Sequence, residues 1–248
     1  MTNNMKKHFA LAAALLVAAG CSSFRTNVYE DNLSLPLSEG QTDSLFYSLS
    51  LEYVTGGLPK EACQQINSTL TTTAFDLEDG PGTVEESAIR YRENLIDEYL
   101  TENANPELSG ALRSWGDEIE GSFTADWNKN KCYTLTYSSF RGGAHGMYTI
   151  TYLVFNPKTG ALITEDDLLK EGYREPVSEL MRESLRATME GDKEALESIW
   201  LDQVAPNGNF CPDDKGISWM FQPYDIAPYA LGAISVDVSW EKLTPYLK

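Results

Sequence analysis

Hydrophobic and polar positions alternate in two different rhythms along this chain. Residues 44–54, Ser-Leu-Phe-Tyr-Ser-Leu-Ser-Leu-Glu-Tyr-Val, are rich in aromatic and aliphatic side chains and predict a strand. Leu58-Pro59 then opens a helix to about Thr73, because proline is tolerated in a first helical turn. After the break at Asp79-Gly80-Pro81-Gly82, Thr83 and Glu86 have capping-box spacing. Val84, Ala88, Tyr91, Leu95 and Tyr99 follow at helical intervals, predicting one buried stripe.

The middle changes to a period of two. Residues 118–127, 132–140 and 147–155 read as three consecutive strands. The last sets Tyr148, Ile150, Tyr152 and Val154 against Thr149, Thr151, Leu153 and Phe155. Asn128–Lys131 and Arg141–Gly146 are short enough for antiparallel hairpins, and Asn156-Pro157-Lys158-Thr159-Gly160 reads as a turn. Helical spacing returns from Pro176 to Thr188 and again over Lys193–Leu201. Strands follow at Ile217–Gln222 and Ala233–Ser239. The order β-α-α-β-β-β-α-α-β-β predicts an α+β fold, with antiparallel sheets covered by helix pairs.

The first residues carry a different kind of information. Lys6 and Lys7 precede the apolar run 9–19, which is too short to span a bilayer and ends in Ala18-Ala19-Gly20-Cys21. This ending resembles a lipobox, with Ala18 where leucine is commonest. Residues 1–20 are therefore expected to be a lipoprotein signal peptide and Cys21 the lipidation site; a free secreted form is the alternative. Residues 21–41 read as a lipid-anchored tether, 42–125 as a smaller α+β domain and 126–248 as a second one. The expected location is exported and lipid-anchored to a bacterial membrane, the outer membrane first, facing the periplasm or the surface.

Removing Lys6 and Lys7 with the leader takes the formal charge from −18 to −20. Such a surface repels nucleic acid and favours basic partners. His8 leaves as well, so His145 is the one remaining histidine. Besides Cys21 there are Cys63, Cys132 and Cys211, an odd number without a Cys-x-x-Cys pair. They read as core cysteines, and their pairing stays open.

Three segments carry a family resemblance. They are Arg141-Gly142-Gly143-Ala144-His145-Gly146-Met147, then Phe155–Gly160 with Leu162–Leu168, then Gly216–Gly232, which contains Pro223-Tyr224-Asp225-Ile226-Ala227-Pro228-Tyr229. In that order they resemble the domain in the ectodomain of RsiV-type anti-sigma factors and in the non-catalytic N-terminal region of PdaC-type peptidoglycan deacetylases. The resemblance covers about residues 130–247 and, more loosely, 42–125. It implies an envelope protein of α+β fold and, from the anti-sigma branch, binding of lysozyme. The chain lacks the sigma-binding segment of one branch and the deacetylase domain of the other.

The candidate ligand-binding residues are Gly142, Gly143, His145, Tyr148, Tyr224 and Tyr229. The plain reading of the glycine loop is a hairpin whose His145 hydrogen-bonds a neighbouring strand or carboxylate; that of Pro223–Tyr229 is a buried crossing between strands, the alternative being a binding surface that includes Tyr224 and Tyr229. Thr164-Glu165-Asp166-Asp167 lacks the ligand spacing of a calcium loop and reads as a helix N-terminus. No catalytic set, metal site or cofactor is expected. Two functions remain: a non-enzymatic envelope lipoprotein binding a basic, lysozyme-like protein or peptidoglycan, or a wall-glycan hydrolase using a carboxylate site among the 37 acidic residues.

Overall fold

A computed structural model describes residues 23–38, 42–77, 82–104 and 113–248. Cys21 and the leader lie outside the described residues. The elements are β1 (Arg25–Pro36), β2 (Ser44–Gly56), α1 (Lys60–Phe75), α2 (Val84–Glu102), β3 (Trp115–Trp127), β4 (Asn130–Phe140) and β5 (Met147–Phe155). There follow α3 (Glu165–Leu168), α4 (Arg174–Thr188), α5 (Lys193–Glu197), β6 (Phe210–Pro212), β7 (Gly216–Phe221), β8 (Ile234–Ser239) and α6 (Trp240–Leu243).

The α+β class holds, in two sheets ordered β1-β2-β3-β4-β5 and β6-β7-β8. Every pairing is antiparallel except β2 with β3. That exception follows from the chain path: α1 and α2 intervene, and a crossover of this length returns the chain parallel to where it left. Residues 25–36, read from sequence as tether, form an edge strand because Tyr29, Leu33 and Leu35 alternate toward the helices. The five-stranded sheet also runs unbroken through residues 125 and 126, where the sequence reading places a domain boundary. The β3–β4 hairpin keeps its ladder across that point.

Helices α1 and α2 cover one face of this sheet. Leu45, Tyr47, Leu49 and Leu51 of β2 meet Ile66 and Leu70 of α1 and the stripe Val84, Ala88, Leu95 and Tyr99 of α2. The Thr83–Glu86 capping box starts α2 as its spacing predicts. Asp31 receives two hydrogen bonds from Arg92, at 2.8 and 2.6 Å, tying α2 to the edge strand.

A second core forms at one end of the opposite face. Along β5, Leu153 and Phe155 join the helix-side core, whereas Val154 between them joins Cys132, α4 and the three-stranded sheet. Two amide side chains fasten this second layer to edge strand β5. Gln222 accepts from the Ile150 N–H at 2.9 Å and donates to its carbonyl at 2.7 Å. Asn209 accepts from the Tyr152 N–H at 2.7 Å and donates to the Ile150 carbonyl at 2.8 Å. They act as a short surrogate strand and leave that stretch of edge unavailable for pairing.

The Thr164 turn caps α3, with the Asp167 carboxylate accepting from the Thr164 N–H at 2.8 Å. Glu165 lies in the first turn of α3, as the helix N-terminus reading places it, but turns inward. It is buried, and accepts from Trp219 Nε1 at 2.7 Å, the Gly208 N–H at 3.0 Å and the Tyr173 hydroxyl at 2.9 Å. Burial, then the bond to Glu165, holds the Tyr173 phenol protonated well above its usual range.

Candidate functional site

The turn joining β4 to β5 is built by its glycines and by one arginine. Gly142 and Gly143 have φ of 83° and 90°, a region side chains avoid. Gly146 is needed for space: a Cβ there would lie 2.6 Å from the Ser139 carbonyl oxygen. Ahead of them, Arg141 forks onto Asp117, with Nη2 at 2.8 Å from Oδ2 and Nη1 bonded to Oδ1. Its guanidinium also lies 4.8 Å over the Trp115 ring.

Asp117 is the centre of this anchor. Its side chain is fully buried and also accepts from the Tyr91 hydroxyl of α2 at 2.6 Å. Burial works against the charge on Arg141, but the hydrogen bonds and attraction of Asp117 outweigh it, so its pKa stands above the ordinary value. Burial and then Asp117 likewise push the Tyr91 phenol up. The loop is thus bolted through the sheet to the helix layer.

At the other end of the loop, His145 stacks on Tyr229 with ring centroids 4.2 Å apart and planes 25° from parallel. Its Nδ1 lies 2.8 Å from the Gly146 carbonyl, which also accepts from the Tyr229 hydroxyl at 2.7 Å. A carbonyl only accepts, so Nδ1 carries a proton in this bond. Tyr224 leans on Tyr229 at 5.6 Å, is 51% exposed and has φ of 75°. Asp225, which accepts from the Gln222 N–H at 2.7 Å, closes the turn that holds it there. Tyr148 accepts from the Ala233 N–H at 2.8 Å.

The six residues singled out in the sequence therefore gather in one place, on the glycine loop, the start of β5 and the β7–β8 connection. Within Pro223–Tyr229, Ile226 and Ala227 are buried, whereas Tyr224 is exposed.

Beside this cluster, the face of the five-stranded sheet not covered by the second core forms a groove of about 740 Å³. Tyr148 and Tyr229 line it; His145 and Tyr224 brace Tyr229 from outside the lining. Across its floor the register sets Asn32, Ser48, Glu118, Ser138 and Tyr148 in one row, one from each strand. The next row supplies Ser34, Phe46, Gly116 and Phe140. Phe46 is 53% exposed, and Glu118 and Glu120 point from β3 to the same open face.

The floor and the anchor were missed in the sequence. Reading β3 from residue 118 leaves out Asp117, though Trp115, Asp117 and Ile119 alternate as one buried face. An aspartate in an apolar row is a signal that a buried cation stands nearby. The alternation Phe46, Ser48, Ser50 on β2 was available too, but only pairing across five strands turns it into a surface.

No curated protein matches the chain. Solved structures share its fold, among them two of the DUF3298 family. One is a crystal structure of a DUF3298 family member from Bacteroides fragilis NCTC 9343, with a TM-score of 0.83, 24% identity, and coverage of 92% of this chain and 95% of that one. The other is a DUF3298 family protein from Pseudomonas aeruginosa PAO1, with a TM-score of 0.69, 14% identity, and coverage of 92% and 96%. Residues 166–241, from the first turn of α3 through β8 into α6, match the family described as a protein of unknown function, DUF3298.

Proposed function

We propose that this chain is a non-enzymatic envelope lipoprotein, anchored through lipid on Cys21, that binds a basic protein in the groove beside Tyr148 and Tyr229. The observation that carries the reading is the groove itself. It offers the exposed ring of Phe46 and the half-buried rings of Tyr148 and Tyr229 next to an acidic floor at Glu118. Aromatic anchors contribute contact area at low entropic cost, and the net charge of −20 left once Lys6 and Lys7 go with the leader speeds encounter with cations. The finer resemblance, to RsiV-type ectodomains and PdaC-type N-terminal regions, rests on the loop Arg141–Met147, on Phe155–Gly160 with Leu162–Leu168, and on Gly216–Gly232. It makes lysozyme the first basic protein to try and peptidoglycan the alternative ligand.

Titrating lysozyme into the protein at about 50 mM and 500 mM salt separates a specific complex from charge attraction, which is screened beyond a few ångströms at the higher value. A specific complex keeps most of its affinity at high salt. Phe46→Ala should weaken it about tenfold at both salts, consistent with loss of one aromatic contact. Glu118→Gln should weaken it chiefly at low salt. Binding only at low salt, insensitive to Phe46→Ala, would reject the groove. Binding of peptidoglycan fragments with no protein binding would replace the ligand class.

The anchor is tested separately. Cys21→Ser should leave the protein in the soluble fraction of cells in which the parent chain sediments with membranes and is released by detergent. A Cys21→Ser variant that still requires detergent would overturn lipidation at this position.

A further inference from the structure

Two of the cysteines, far apart in sequence, are brought to the seam between the sheets. Cys132 is on β4, turned toward the second core and fully buried, whereas Cys211 lies half-buried on β6. Both sulfurs converge on one acceptor. Cys132 Sγ is 3.4 Å and Cys211 Sγ 3.8 Å from the Pro212 carbonyl oxygen. Sharing that oxygen places the two sulfurs within about 7 Å of each other, and each thiol influences the other's ionisation. Cys63 is elsewhere, on α1, its thiol directed at the Leu58 carbonyl.

We infer that Cys132 and Cys211 are a redox-active pair that closes to a disulfide, linking the five-stranded sheet to the three-stranded sheet. Two sulfurs held against one carbonyl oxygen reach bonding distance by a local shift of the strand that carries one of them. The strand that must give is β6, which is three residues long and not an interior member of its sheet.

Exposure assigns the order of events: Cys132 is fully buried, whereas Cys211 is half-buried. The neighbouring Cys211, then burial, push the Cys132 pKa up, with Asp126 and Asp213 adding to it. The Cys132 thiol in turn holds the Cys211 pKa below its ordinary value despite burial and the nearby Asp213 carboxylate. Tyr152 also stands beside Cys211. Cys211 is therefore the thiol an oxidant reaches, and it attacks first as the thiolate.

The oxidant is a small disulfide such as glutathione disulfide. Cys211 attacks one of its sulfurs, forming a mixed disulfide and releasing one glutathione thiolate, which takes up a proton. Cys132 then loses its proton, attacks Cys211 Sγ and expels the second glutathione. Two protein thiols become one disulfide while one glutathione disulfide becomes two thiols, so electrons and protons balance. This device is independent of the groove and of any ligand bound there.

The chain carrying Cys21→Ser and Cys63→Ser has Cys132 and Cys211 as its only thiols. Incubated folded with glutathione disulfide, it should lose about 2 Da and both titratable thiols, and reduction should reverse the change. Its Tm should rise on oxidation by on the order of 5–10 °C. Adding Cys132→Ser should trap a stable glutathione adduct on Cys211. Peptide mapping of the parent chain after the same treatment gives the answer without substitutions, and should recover a Cys132–Cys211 linked peptide. Two thiols that stay reduced, a Cys211 adduct that never resolves with Cys132 present, or a link through Cys63 would each overturn the pair.

Discussion

Asp117→Ala is expected to lower stability by about 3 kcal/mol. That is the lower end of the range for breaking a buried ion pair, because Arg141 keeps 33% of its side chain in solvent and can partly rehydrate. The substitution also leaves the Tyr91 hydroxyl without its 2.6 Å acceptor between sheet and helix. Asp117→Asn should cost less, since the amide oxygen still accepts from Tyr91 while the charge is lost. Arg141→Ala should cost at least as much as Asp117→Ala, because it strands a fully buried carboxylate. Removing both partners should cost less than the two single losses added together. Urea unfolding of the four variants measures this cycle. Additive losses would show that the pair is a bystander and that the loop is held by its glycines alone.

The same substitution tests whether the anchor serves the site. Arg141 is the residue before Gly142, and the loop it starts ends on the Gly146 carbonyl shared by His145 and Tyr229. Untying Arg141 should loosen the His145–Tyr229 stack, read out in the near-ultraviolet aromatic dichroism at temperatures where the variant remains folded. Stability lost with that signal unchanged would place the anchor in the fold and not in the site.

What the sequence made legible was periodicity and local chemistry. The stripe from Val84 to Tyr99, the alternation along β5 and the glycine loop are patterns within one element, and each element lies close to where its pattern predicts. The clustering of His145 with Tyr224 and Tyr229 was not legible, because no physical signal in the sequence links residues about 80 positions apart. β1 was missed because its Pro36, polar residues and isolated leucines have the composition of a linker. Only the partner strand β2 shows that Tyr29, Leu33 and Leu35 share a face. The parallel β2–β3 pairing and the acidic floor are tertiary facts, fixed by which strand lies beside which.

Glu165 shows the same limit most sharply. In sequence it is one of three consecutive acids after Thr164, and its neighbour Asp167 does what that pattern predicts by closing the cap. Nothing local marks Glu165 as the one that turns inward to meet Trp219, 54 positions away. Glu165→Ala should cost about 4 kcal/mol, since three donors in or near the core lose their acceptor at about 1–3 kcal/mol each, partly offset by the release of a buried charge. Glu165→Gln is the informative contrast. Its amide oxygen can still accept from Trp219 Nε1 and the Gly208 N–H. Its NH₂ can donate to the Tyr173 oxygen, which accepts as readily as it donates. The loss should then fall to about 1 kcal/mol. Equilibrium unfolding followed by tryptophan fluorescence measures both. Equal losses for Ala and Gln would mean that the carboxylate's charge, not its geometry as a shared acceptor, holds Trp219 and the second core together.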